Sequence, residues 1–188
     1  MKLLLTSGGV TNPTIHAALE RLLGRPVAEC HALCVPTAQR GHPACGPASV
    51  QGLVAARSGW EHLSGLGWAS LGVLELTALP SIGADRWLSW LREAVWVGVS
   101  AGSMAMSPRI GRYFVEWPGA PDDRTLGLVD FSIFPHLDLF QTNTMAHAER
   151  WAADIGGPAY AIDEQTAITV VDGSVEVVSE GRWRRFAA

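Results

Sequence analysis

The chain has 188 residues, 48% of them hydrophobic and 17% charged, with a formal net charge of −4 at pH 7. That composition belongs to a folded protein, and the length fits one domain with a sizeable core. The acidic balance excludes nucleic acid as the main partner, because phosphate binding needs a concentrated basic face. The one basic cluster, Arg182-Trp183-Arg184-Arg185, is short and fits a solvated last strand. No segment reaches the roughly 18 continuous apolar residues of a membrane span, so no membrane partner is expected. Three cysteines give no disulfide framework. Cys30, Cys34, His42 and Cys45 crowd one stretch, but without the spacing of a compact zinc knuckle, so no metal is expected.

In chain order, Leu3-Leu4-Leu5 predicts a first strand. Gly8-Gly9 and Asn12-Pro13 interrupt this apolar run too soon for a signal peptide, which points to a cytoplasmic protein. A helix is predicted over Pro13 to Leu23, with Asn12 as N-cap, Pro13 at the first position and Gly24 just past the end. Ala32 to Val35 predicts a second strand stopped by Pro36, and Pro47 to Arg57 a second helix. Ser70 to Leu76 predicts strand three, Ala84 to Glu93 a third helix, and Ala94-Val95-Trp96-Val97 a buried strand. Near-continuous apolar strands separated by helices imply a mostly parallel sheet covered on both faces. After Pro108, short strands are expected at Tyr113–Glu116, Phe131–Phe134, Ala159–Ile162, Ala167–Val171 and Val175–Val178, with one helix over Thr144 to Ile155. Asp172-Gly173 between two β-branched runs is a hairpin signal. There are no internal repeats or linkers, and a single domain over 1–188 is expected.

The segment Gly98-Val99-Ser100-Ala101-Gly102 has the form G-x-S-x-G, after a strand and before the short helix predicted at Met104-Ala105-Met106. A strand, sharp turn and helix make the context of a nucleophile elbow, which holds its serine strained and exposed. A serine needs a base, and the base an orienting group. His136 is best placed, just beyond the strand Phe131-Ser132-Ile133-Phe134 and after Pro135, which fixes the local backbone. Glu116, at the end of Tyr113-Phe114-Val115, is the leading acid by position, with Asp122, Asp123, Asp130 and Asp138 as competitors.

Several blocks, taken in order, resemble the S51 serine peptidases, the dipeptidase E group related to cyanophycinases. They are Leu4-Leu5-Thr6-Ser7-Gly8-Gly9, Val35-Pro36-Thr37-Ala38, Gly98 to Ser103, Phe134-Pro135-His136-Leu137 and Ala161-Ile162-Asp163-Glu164-Gln165-Thr166-Ala167. The resemblance implies an α/β fold of the class I glutamine amidotransferase-like (flavodoxin-like) type, a mostly parallel sheet flanked by helices, here with a C-terminal β-hairpin. It implies Ser100 as nucleophile, His136 as base and Glu116 as acid. Ala101 N–H would serve the oxyanion, and Arg150 would hold the side-chain carboxylate of a substrate with N-terminal Asp. The implied activity is hydrolysis of small peptides, dipeptides with N-terminal Asp in particular, with no cofactor.

The family pattern carries a further strand and a Gly-rich turn before the elbow, and that turn supplies an oxyanion donor. Between Leu76 and Val95 this chain has no Gly-Gly pair. A sheet short of that strand would close up, fill the gap with Trp87, Trp90 and Trp96, or admit a strand from a second copy in a homodimer. The alternative reading is accordingly a weakened or inactive S51-like protein that binds a small acidic ligand in the Ser100 cleft.

Overall fold

The computed structural model describes residues 1–37, 63–83 and 94–187. The helices expected over 47–57 and 84–93, together with His42, Cys45, His62, Trp87 and Trp90, lie outside the described residues. The fold is mixed α/β, with helices flanking its sheets. It divides into two compact units, one of Leu19–Val95 and one of Met1–Ala18 with Trp96–Ala188.

In the Leu19–Val95 unit, strands β2 (His31–Cys34) and β3 (Ser70–Val73) pair in parallel. Strand three was expected to run to Leu76, but Leu76–Ala78 coils into a 3-10 turn, followed by the one-turn helix α2 (Leu79–Ile82). The Thr37 hydroxyl accepts from Leu76 N (2.9 Å) and donates to Glu75 (3.0 Å), so strand pairing gives way to a side-chain cap.

The other unit holds two sheets. The four-stranded one has the order β4-β1-β7-β8, built from Val95–Val99, Lys2–Thr6, Thr166–Val171 and Ser174–Ser179. The three-stranded one has the order β5-β6-β9, built from Ser132–Phe134, Ala159–Ile162 and Trp183–Phe186. One mostly parallel sheet was expected, yet the pairs β1·β7, β7·β8 and β6·β9 are antiparallel. For β7·β8 the reason is local. Asp172 (φ 48°) and Gly173 (φ 87°) turn the chain back within two residues, from Val171 to its partner Ser174, and so short a connection joins only antiparallel neighbours.

Apolar alternation builds two cores on opposite faces of the strands. Leu3, Leu5, Ile133, Tyr160, Ile162 and Ile168 meet in one cluster. Phe134, Ala159 and Ala161 point the other way, onto Ala148, Trp151 and Ile155 of the last helix. That helix is α4 (Met145–Ile155), with Thr144 as N-cap and Gly156 (φ 68°) closing it. Helix α1 (Pro13–Leu23) starts where Asn12 accepts from Ile15 N at 2.9 Å, and Ile15, Ala18, Leu19 and Leu22 form its buried stripe.

A strand was expected at Tyr113–Glu116, but Arg112–Phe114 is a 3-10 turn after Gly111 (φ 81°). Phe114 draws the segment out of any ladder by packing edge-on against Phe134 and Trp151, with ring centroids 5.3 and 6.3 Å away. A Cβ on Gly111 would lie 2.5 Å from the Trp151 indole nitrogen, so the backbone is seated directly on that ring.

A Cβ added to Gly98 would sit 2.7 Å from Ser103 Cα and 2.8 Å from the Gly102 carbonyl oxygen, neither of which can rotate away. Gly98→Ala is therefore expected to cost about 1–3 kcal/mol. Thermal unfolding should show this as a Tm lower by roughly 2–12 °C for a chain of this size.

Candidate active site

Strand β4 delivers Ser100 into a backbone conformation that L-residues avoid, φ 51° and ψ −116°. Holding it there costs on the order of 1–3 kcal/mol and needs surrounding structure that leaves no alternative. The end of β1 supplies that restraint. Ser100 N donates to the carbonyls of Thr6 and Ser7, both at 3.0 Å. Ser103 Oγ accepts from Thr6 N (2.8 Å) and donates to Thr6 O (2.7 Å), while the Thr6 hydroxyl donates to Gly98 O (2.7 Å). Helix α3 (Ala101–Met104) starts directly after the serine. Among the described residues, nothing accepts from the Ala101 N–H, which leaves it available beside Ser100. The two glycines of the elbow differ. Gly98 is demanded by backbone, whereas a Cβ on Gly102 would meet nothing within 4 Å.

His136 follows β5 in a left-handed conformation (φ 58°), and its Nε2 lies 2.8 Å from Ser100 Oγ. Its Nδ1 lies 2.6 Å from Glu164 Oε1. An ionised carboxylate only accepts, so Nδ1 carries the imidazole proton and Nε2 is left to accept from the serine hydroxyl. The His136 and Glu164 side chains are 22% and 21% exposed, which leaves the pair sheltered yet open to a ligand. Phe140, itself exposed, stands edge-on to the imidazole with centroids 5.5 Å apart.

Glu164 lies in the turn between β6 and β7. Asp163 Oδ1 accepts from Gln165 N (3.0 Å) and Thr166 Oγ1 (2.7 Å), an Asx-type closure. Asn12 Nδ2 donates to Gln165 O at 2.9 Å, tying the turn to the start of α1. Burial favours the neutral form of the Glu164 carboxyl. The hydrogen bonds from His136 and Ser7, with the charge of His136, outweigh it and hold the group below its ordinary 4.5. The carboxylate lies against Gly8, where a Cβ would come within 1.8 Å of Glu164 Oε2. Ser7 is fully buried, and its hydroxyl donates to Glu164 Oε1 at 2.7 Å.

Ser100 and His136 thus come together as their sequence positions suggested, and Glu116 does not join them. It is exposed beyond the 3-10 turn that replaces its expected strand, while the carboxylate on His136 is Glu164. The competing acids are also placed elsewhere. Asp123 is paired with Arg109 (3.0 Å), Asp122 with Arg124 (2.6 Å) and Asp138 with Arg182 (2.6 Å), and Asp130 is exposed. The signal for Glu164 lay in the block Ala161 to Ala167, at the end of a strand. That block follows His136 in the chain, outside the Ser100–His136 interval in which Glu116 lies.

Arg150 is exposed on α4, away from the buried stripe of Ala148, Trp151, Ala152 and Ile155. No described hydrogen bond or ion pair joins it to the Ser100 group. The neighbouring Glu149 pairs with Arg184. Cys30 is buried and Cys34 half-buried, both as free thiols. Burial, then the Glu75 carboxylate, pushes the Cys34 thiol up, which suits an inert side chain.

The model of peptidase family S51 matches residues 79–178, more than half of the chain and a span that includes Ser100, His136 and Glu164. The chain belongs to peptidase family S51. Among solved structures, this S51 chain is similar to a peptidase from an acI-B1 Actinobacterium at 16% identity and TM-score 0.63, covering 100% of this chain and 94% of that one. It is also similar to a protein assigned as peptidase E from Listeria monocytogenes EGD-e, at 18% identity and TM-score 0.53, covering 96% and 98% of the two chains. At these identities the likeness is one of fold. No curated protein matches the S51 chain in sequence.

Gly8→Ala is expected to push the Glu164 carboxylate off His136 and lower kcat by about 10²-fold, the usual scale for a misplacement of ~1 Å. A peptide-hydrolysis assay on the folded variant checks it. A pH titration of stability checks the carboxylate itself. Because the folded Glu164 group lies below 4.5, its stabilisation is present above that pH and is lost as pH falls through the lowered value. Below about pH 4.5 the Tm of Glu164→Gln should fall less steeply than that of the unmodified chain.

Proposed function

We propose that this S51 chain is a serine peptidase of small peptides, with dipeptides carrying N-terminal Asp as its substrates. The observation that supports it best is the unbroken contact series Ser100 Oγ, His136 and Glu164, at 2.8 and 2.6 Å, with the serine strained on an elbow. Ser100 Oγ attacks the peptide carbonyl carbon while its proton passes to His136 Nε2. Glu164 holds the imidazole through Nδ1 and offsets the charge that forms on it. Ala101 N–H donates to the developing oxyanion. As the C–N bond breaks, His136 returns the proton to the leaving amine, and Ser100 keeps an aspartyl ester. Water, deprotonated by the same His136, then attacks the ester and releases aspartate, and the proton returns to Ser100 Oγ. The cycle balances without a cofactor.

Because Nε2 must reach the leaving nitrogen, the departing residue passes beside the imidazole, where Phe140 offers it an apolar edge. Arg150 is the cation proposed for the substrate's side-chain carboxylate, as a bidentate guanidinium partner. In the same reading the chain is one S51 domain of class I glutamine amidotransferase-like fold, acting in the cytoplasm.

The test is release of aspartate from Asp-Leu. Ser100→Ala should lower kcat/KM by at least about 10³-fold. Glu164→Ala should lower it by about 10²–10⁴-fold, while Glu116→Ala leaves it unchanged. Arg150→Ala should raise KM for Asp-Leu and not for Ala-Leu. No release by the folded, unmodified chain would overturn the peptidase reading in favour of a binding protein on the same scaffold.

A further inference from the structure

Among the described residues, Ser7 is the one polar side chain in contact with both His136 and Glu164 that the proposed cycle does not use. It lies directly after β1, is fully buried, and joins two segments far from it in sequence. Its hydroxyl proton goes to Glu164 Oε1 at 2.7 Å. Its oxygen accepts from the main-chain N–H of His136, also at 2.7 Å. The His136 Nδ1 atom is further off, at 3.3 Å, so Ser7 does not compete for the proton that Nδ1 shares with Glu164 at 2.6 Å.

These contacts close a ring. It runs from the His136 main chain to the Ser7 hydroxyl, on to the Glu164 carboxylate, and back through Nδ1 to the side chain of the same histidine. Backbone and imidazole of His136 are therefore referenced to one another through two groups, and the ring cannot turn without breaking a charge-assisted hydrogen bond. From this geometry we infer that Ser7 is a positioning residue for the reaction, setting the direction of the His136 imidazole and the basicity of the Glu164 carboxylate. The inference rests on the serine-nucleophile reading of Ser100.

Two consequences separate this role from a structural one. Without the Ser7 hydroxyl, Glu164 and the His136 N–H each lose a partner and the imidazole loses its fixed bearing, so the proton-transfer step slows. Glu164 also loses a donor that spreads its charge. It then attracts a protonated imidazole more strongly, and the acid limb of the rate profile moves to higher pH. Among the described residues, Glu164 is the charged group in contact with the imidazole, and the other contacts are Ser7, Ser100 and the Phe140 ring.

The experiment is the rate at which Ser100 is phosphonylated by a small alkyl fluorophosphonate, followed by intact mass across pH 5–9. Phosphorus bonds to Ser100 Oγ, fluoride leaves and His136 takes the proton, so no knowledge of the peptide substrate is needed. Ser7→Ala and Ser7→Cys are compared with the unmodified chain. The cysteine variant keeps the volume of the buried side chain while weakening both hydrogen bonds, and remains readable where the alanine variant does not fold. The expected result is a fall in rate of about 10- to 100-fold for Ser7→Ala, less for Ser7→Cys, with the acid limb displaced upward in both. A folded Ser7→Cys or Ser7→Ala chain that labels at the unmodified rate and pH midpoint overturns the role of Ser7. An unmodified chain that does not label overturns the nucleophile reading itself, a separate failure.

Discussion

The hydrogen bond between Glu164 Oε1 and His136 Nδ1 is the contact on which the rest of the site depends. An imidazole carries one proton when neutral, and whichever nitrogen holds it decides whether the other can take one. With the carboxylate at Nδ1, Nε2 faces Ser100 as an acceptor. Displace the carboxylate and the same two residues remain neighbours without a defined direction of proton transfer. The partly buried setting strengthens the pair. A partly desolvated carboxylate would tend toward its neutral form, and the donors His136 and Ser7 keep it charged.

That contact is fixed by backbone rather than by long side chains. The end of β1 touches all three parts of the group. Thr6 and Ser7 carbonyls hold the Ser100 amide, the Ser7 hydroxyl meets His136 and Glu164, and Gly8 leaves the space that the Glu164 carboxylate fills. Three residues in a row at a strand terminus thus set the nucleophile, the base and the acid. Their positions follow from the core beneath, where Leu3, Leu5, Ile133, Ile162 and Ile168 lock the strands that lead into the site. The elbow strain at Ser100 is sustained by the same β1 contacts, so stability and reactivity share one anchor.

Much of this was legible in the sequence, for identifiable reasons. Ser100 announced itself because its glycine-flanked turn between strand and helix is a local pattern. His136 did so because Pro135 and a short apolar strand mark the end of an element. The helices Pro13–Leu23 and Met145–Ile155 carry their caps in the chain, Asn12 and Gly24 for one, Thr144 and Gly156 for the other. Glu164 carries a signal in the block Ala161 to Ala167, but its role as the acid depends on β5 and β6 pairing in parallel, a tertiary contact that brings the ends of the two strands side by side. Glu116 is favoured by its place at the end of an expected strand and by the resemblance, and the 3-10 turn at Arg112–Phe114 removes that strand. The aromatic packing of Phe114 on Phe134 and Trp151 is a tertiary effect that overrides its β-propensity. Ser7 hid for a similar reason, since a serine before two glycines at a strand end resembles any turn. Asp172-Gly173 encodes the antiparallel pair β7·β8, whereas β1·β7 and β6·β9 join strands far apart in sequence and have no local signal.

The central claim is that Glu164 fixes the proton of neutral His136 on Nδ1, and nitrogen-15 NMR of histidine-labelled protein reads that directly. The account predicts that, above the pH at which His136 is protonated, Nδ1 gives a pyrrole-like shift with a directly bonded proton and Nε2 a pyridine-like shift. The opposite pattern, with the proton on Nε2, would contradict it, because His136 would then have no lone pair to offer Ser100.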